Sequence, residues 1–246
     1  MRDGRGQLTH RRSWTERPAV VEQRSRIGDW ELDTIDNSHC KAVVVTMTER
    51  RSGLHLLAHS PDGTAQNVRN AIVHRLGKLG HVMHTLTAEN GKEFADHRLI
   101  ATALQADLYF ADPDSAWQRG SNENANGLTR QYLPRHTDFS TITEERLRWI
   151  EQRLYDRPRK RLGFTTSLEV FLEELINSVA NQSWIHHWII RSHNPHLLML
   201  GHPAQSAASR KRSLHIRAIY LRCREHSQRS HKVFEPLLGS LLCQAL

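Results

Sequence analysis

The stretch Tyr109–Arg130, YFADPDSAWQRGSNENANGLTR, constrains this chain more than any other. A short apolar run of strand character ends at Phe110, and a turn-rich loop with Asp112-Pro113-Asp114 follows. A helix is expected to open near Ser121, a good N-cap residue. Glu123 falls in its first turn, with Asn126 and Arg130 on the same side at i+3 and i+7. Ala125, Leu128 and Tyr132 form a separate apolar stripe suited to a core, and Pro134 stops the helix. One face therefore packs while the other presents a carboxylate beside amide and guanidinium groups. A solvated helix start, where an acid favours the dipole, accounts for the same residues.

Two further stretches sharpen the choice. Val82–Thr87 reads as a strand, and the turn signal Asn90-Gly91 sets Glu89 at its carboxyl end. In Ile27–Ile35, Asp29, Glu31 and Asp33 alternate with Trp30 and Leu32 as on a strand. Asp33, Glu89 and Glu123 could then converge from two strand ends and one helix start. Three carboxylates in one cleft repel one another unless cations neutralise them, which is the layout of a divalent-metal site.

The runs WELDTI (Trp30–Ile35), LTAENGKEF (Leu86–Phe94) and YFADPDSAWQRGSNENANGLTRQYLP (Tyr109–Pro134) resemble the catalytic core of insertion-sequence transposases. The type they resemble is the IS-thirty family, relatives of retroviral integrases. The resemblance continues through YDRPRKRLGF (Tyr155–Phe164) and SLEVF (Ser167–Phe171), covering roughly Arg17 to Gln182. It implies a ribonuclease H-like α/β fold and DNA strand transfer by two-metal phosphoryl transfer, with two Mg²⁺ or Mn²⁺ ions. Asp33, Glu89 and Glu123 are then both the catalytic and the metal-holding residues. Asp33 and Glu123 match the family's pattern residue for residue, whereas Glu89 stands where the family has Asp. Asn90, Lys92, Arg119, Asn122, Asn126 and Arg130 ring that site as candidates for contact with DNA, and capping or surface solvation accounts for them equally. The implied partners are transposon ends, target DNA and further copies of the chain; the implied setting is the bacterial cytoplasm and nucleoid.

Charge is unevenly placed. The chain carries a net charge of +8, but residues 1–26 hold +4 and residues 177–246 hold +7, leaving 27–176 at −3. The overall basicity is therefore weak evidence that the core itself grips nucleic acid. Local clustering matters more, as in Arg153, Arg157, Arg159, Lys160 and Arg161 after a helix opening at Thr143. Phosphate contact and compensation of the helix dipole both explain that cluster. No stretch approaches a membrane span, and the three scattered cysteines argue against a disulfide framework or a zinc site.

Three segments are expected. Residues 1–26 lack periodicity and read as a basic linker, before which the family's DNA-reading helix-turn-helix is missing. Residues 27–182 form the core. Its strands Ile27–Ile35, Ala42–Met47 and Gly53–Ala58 suit an antiparallel meander, while Val82–Thr87 and Asp107–Ala111, separated by helices, suit parallel pairing. Helices are expected from Thr64, over Lys92–Leu104, from Thr143 and from Thr166, whose Glu169 completes a capping box. Residues 183–246, His-rich and nearly free of acids, read as poorly packing read-through beyond an original stop. Two functional classes follow: a transposase core, impaired by Glu89, or a remnant that binds nucleic acid without cutting it. A metal-dependent nuclease of the same fold would need features not visible here.

Overall fold

The computed structural model describes residues 10–37, 40–112, 120–175 and 177–178. The segment 183–246 and Arg119 therefore lie outside the described residues. Those up to Glu174 cluster as one unit.

Five strands among them form one mixed sheet: β1 (Asp29–Ile35), β2 (Val43–Glu49), β3 (His55–Ser60), β4 (Thr85–Ala88) and β5 (Asp107–Phe110), in the order β3-β2-β1-β4-β5. The first three make the expected antiparallel meander, with Asp33 opposite Thr46. On the other side β1 pairs in parallel with β4, and β4 with β5. The two crossovers are helical: α2 (Ala65–Leu76) joins β3 to β4, and α3 (His97–Leu104) joins β4 to β5. A parallel pair needs such a crossover, which is why helical spacing interrupts the strands at these points. This mixed five-stranded order, a meander followed by parallel strands with helical crossovers, is the one expected of a ribonuclease H-like fold.

Helices α4 (Gly120–Thr129) and α5 (Glu144–Tyr155) cover the face that carries Glu31, Asp33 and Ile35. They dock by different physics. Leu147, Ile150 and Leu154 of α5 pack with Ile35, Val44 and Leu57 of the sheet and with Leu133 and Phe139. Each such side chain contributes ~1.5–3 kcal/mol of burial. From α4 the buried residues are Asn122, Ala125 and Thr129, so its seat on the sheet is mostly polar. Thr143 caps α5 by accepting from the Arg146 N–H at 3.2 Å, and Thr166 with Glu169 closes the expected capping box of a last helix, α6 (167–175).

Several local expectations are corrected. Val82 belongs to a 3-10 turn, Gly77–Val82, so β4 starts later than the apolar run. The helix expected over Lys92–Leu104 is a 3-10 turn, Lys92–Phe94, followed by α3; Asp96 between them gives its carboxylate to Arg69 at 2.7 Å and caps nothing. Thr64 makes no side-chain cap, because its hydroxyl donates to Asp62. Ser121 lies inside α4 rather than capping it.

Residues 10–26 lack periodicity yet pack on the sheet. Phe110 N–H donates to the Arg12 carbonyl at 2.8 Å, and Arg12 pairs with Asp107 at 2.7 Å. A short helix, α1 (Ala19–Gln23), buries Val21. Among the described residues no helix is long and apolar enough to cross a membrane.

Candidate catalytic site

Alternation on β1 sends Asp29, Glu31 and Asp33 to one face, as expected, but the three meet different neighbours. Asp29 accepts from Arg26 Nε and Nη2 at 2.9 and 3.0 Å and from the Thr85 hydroxyl at 2.8 Å. Glu31 is fully buried, with one oxygen bonded by Arg50 and the other accepting the Asn122 N–H at 2.7 Å. Arg50 reaches on to Glu22 and to the Val21 carbonyl of α1. Both acids are thereby committed to structure. Asp33 alone is half-buried, its Oδ1 accepting from the Thr34 N–H at 2.8 Å and its Oδ2 from Asn126 Nδ2 at 3.0 Å.

Helix α4 is thus laid on the sheet by a line of polar contacts. Glu31 takes an N–H of its first turn, where anionic groups are favoured. Thr48 Oγ1 lies 2.5 Å from Asn122 Oδ1 and 2.7 Å from His55 Nδ1, and His55 Nε2 lies 3.1 Å from Thr129 Oγ1. Burial, reinforced by the Arg159 charge, draws the His55 pKa down to about 3, so the ring stays neutral. Asp33 with Asn126 completes the line, and Glu123 lies three residues before Asn126 on α4. Glu123 is exposed, and Glu89 is half-buried immediately after β4.

Glu31 is the residue that pattern reading passed over as one of three equivalent acids. Its partner Arg50 lies after a strand turn, and no local signal links them. Glu31→Gln leaves the buried Arg50 guanidinium without its buried charge partner and with the exposed Glu22 as its remaining one. A loss of about 3 kcal/mol in unfolding free energy is expected, at the low end of the range for breaking a buried pair because Gln still accepts the Asn122 N–H. Urea denaturation measures it; a loss below about 1 kcal/mol would mean that the pair does little for the fold.

The donors are chemically suited to a hard divalent cation. Asp33, Glu89 and Glu123 offer carboxylate oxygens without thiolate or imidazole, and the neighbouring Asn126 Oδ1 is buried with no hydrogen-bond partner. In this conformation, however, no group of three or more His, Cys, Asp or Glu among the described residues comes together to hold an ion. The donor chemistry fits, and no coordination geometry follows from it.

The remaining expected residues part company. Asn122 is fully buried, which takes it off the surface and makes it part of the α4 seat. Asn90 bridges Arg11 and the Ala111 carbonyl, fixing the loop after β4 to the end of β5. Arg130 donates to the Asp36 carbonyl at 2.7 Å and lies over the Phe139 ring; burial lowers its pKa. Lys92 and Lys160 are exposed. Arg157 donates to the Tyr132 hydroxyl at 2.7 Å, and Arg159 is half-buried, its pKa lowered by burial and by Arg157.

No protein-family model matches the chain. The transposase for insertion sequence element IS4351 of Bacteroides fragilis is 42% identical over 174 residues, covering 71% of this chain and 53% of that protein. The transposase InsI for insertion sequence element IS30A of Escherichia coli K12 is 33% identical over 159 residues, covering 63% of this chain and 40% of that protein. The chain spans about half the length of the curated relatives it matches, or less. Among solved structures, the catalytic core domain of BIV integrase aligns with a TM-score of 0.48 and 22% identity, over 61% of this chain and 97% of that one.

Proposed function

Starting from a chain that is a homologue of the IS30-family transposases, we propose that it carries a phosphoryl-transfer site for DNA strand transfer, centred on Asp33 and Glu123. The observation that supports this most is the Asn126 bond to Asp33, which ties the half-exposed acid of β1 to the helix that carries Glu123. Glu89 extends the same site from the adjacent parallel strand β4.

The work of each residue follows from its surroundings. Glu31 and Asn122 hold α4 in place, and Asn126 orients the Asp33 carboxylate. Asp33, Glu89 and Glu123 would hold divalent cations, with all-oxygen donors suited to Mg²⁺ or Mn²⁺. When bound, such ions supply charge neutralisation at the reacting phosphate and its leaving oxygen. DNA ends and a target duplex are the substrates in this reading, and further copies of the chain its partners. With Mg²⁺ the activity is low, because Glu89 is longer by one methylene than the Asp that the family pattern has there.

Nicking and strand-joining on duplex and branched DNA, with Mg²⁺ and separately with Mn²⁺, test the proposal. Metal-dependent products weaker in Mg²⁺ than in Mn²⁺ are expected. The carboxylates that stay apart among the described residues favour a second reading, a core that binds DNA without cutting it. DNA binding with no product in either metal would establish that reading instead.

A further inference from the structure

Helix α5 buries Leu147, Ile150 and Leu154, and turns Arg146, Trp149 and Arg153 outward at i, i+3 and i+7. Trp149 is 41% exposed, unusual for so large a ring. The Arg146 guanidinium lies 4.4 Å from its ring centre and that of Arg153 lies 5.1 Å away. Tyr132 meets Trp149 edge-on at 5.6 Å, and Arg157 lies 5.6 Å over Tyr132 while donating to its hydroxyl. Two rings thus carry three guanidiniums in one continuous cluster.

Among the described residues no carboxylate forms an ion pair with any of the three. The acids of α5 are otherwise engaged or set apart. Glu151 is buried against Arg75, Asp156 accepts from Gln152, and Glu144 and Glu145 sit in the first turn, where they suit the dipole. A solvated arginine normally loses side-chain entropy on binding. Stacking against a ring limits that loss and uses only the flat face of the guanidinium, leaving its in-plane N–H groups free to donate. Seven helical residues span ~10.5 Å, close to three axial phosphate steps of one DNA strand at ~3.4 Å each.

We propose that Arg146, Trp149, Arg153, Tyr132 and Arg157 form a phosphate-gripping ridge for the backbone of duplex DNA, with the rings holding the guanidiniums in posture. The ridge is independent of the acids at Asp33: it needs neither divalent cation nor chemistry. Unpaired cationic charge favours a polyanion over an apolar protein partner, although tryptophan, tyrosine and arginine also serve protein interfaces.

The test uses the full chain and a fluorescent 20-base-pair duplex of arbitrary sequence, titrated in EDTA across a series of salt concentrations. Arg146→Ala with Arg153→Ala should weaken binding about fivefold at low salt and reduce the log–log salt slope by roughly 2, at ~0.9 per phosphate contact. Trp149→Ala removes no charge yet should weaken binding about threefold, while Trp149→Phe should stay near the parent. Melting temperatures of all variants, measured alongside, separate this from misfolding. Unchanged affinity and slope in the double variant, or no duplex binding by the parent chain, would overturn the proposal. So would variants that shift sedimentation of the free chain and leave DNA binding intact, since the ridge would then join two copies of this chain. Because binding is read without metal, failure of the catalytic reading leaves this result untouched.

Discussion

Asp33→Asn is expected to lower strand joining by on the order of 10²–10³-fold, the cost of removing one preorganised charge-stabilising group, while leaving the fold intact. Asp33 is half-buried and accepts one N–H from its own strand and one from Asn126. Asparagine keeps the shape and an acceptor oxygen, so α4 should stay seated through Glu31, Thr48 and His55. The substitution therefore removes the charge and one of the two accepted hydrogen bonds, and leaves the rest of the α4 seat in place. Glu31→Gln is the informative contrast: it should cost stability first and activity only through loss of the fold. Measuring strand joining and urea stability on both variants separates the two roles. An Asp33→Asn protein as active as its parent would remove the catalytic reading of this face, whatever the family resemblance implies.

The fold was legible because its period-two and period-3.6 patterns are clean where packing is apolar. Trp30 and Leu32 against Asp29, Glu31 and Asp33 on β1, and Leu147, Ile150 and Leu154 on α5, are visible from spacing alone. Polar docking leaves no such trace. Residues 10–26 are tied down by single bonds, Arg17 to Thr87 at 2.8 Å and Trp14 Nε1 to Asp112 at 2.7 Å, and single bonds have no period. The start of α4 is held by Glu31, 91 positions away, so the local cap signal at Ser121 pointed to the wrong residue. Co-facial position told which acids could meet α4. It could not tell that Arg26 and Arg50 claim two of them, because Arg26 precedes β1 and Arg50 follows β2, both outside the alternating pattern.

Within the proposed site, Glu89 is the position expected to separate a working arrangement from an impaired one. Its backbone is firmly held on both sides. The Ala111 N–H donates to the Ala88 carbonyl at 2.9 Å, and the Asn90 amide bonds the Ala111 carbonyl and accepts from Arg11. A backbone shift large enough to absorb the extra methylene of glutamate would have to strain or break these bonds. The methylene moves the carboxylate by ~1.5 Å, one C–C bond. Mg²⁺ requires near-octahedral ligands at ~2.0–2.1 Å, and misplacement by ~1 Å costs on the order of 10²-fold in rate. The charge is unchanged, so geometry outweighs electrostatics. Glu89→Asp is accordingly expected to raise strand joining with Mg²⁺ at least ~10-fold on the same DNA, a conservative share of that cost. The gain should be smaller with Mn²⁺, which tolerates a looser ligand shell. Equal rates for parent and variant with Mg²⁺ would mean that the longer arm reaches the site as it stands, and the parent chain would then count as a fully working transposase core.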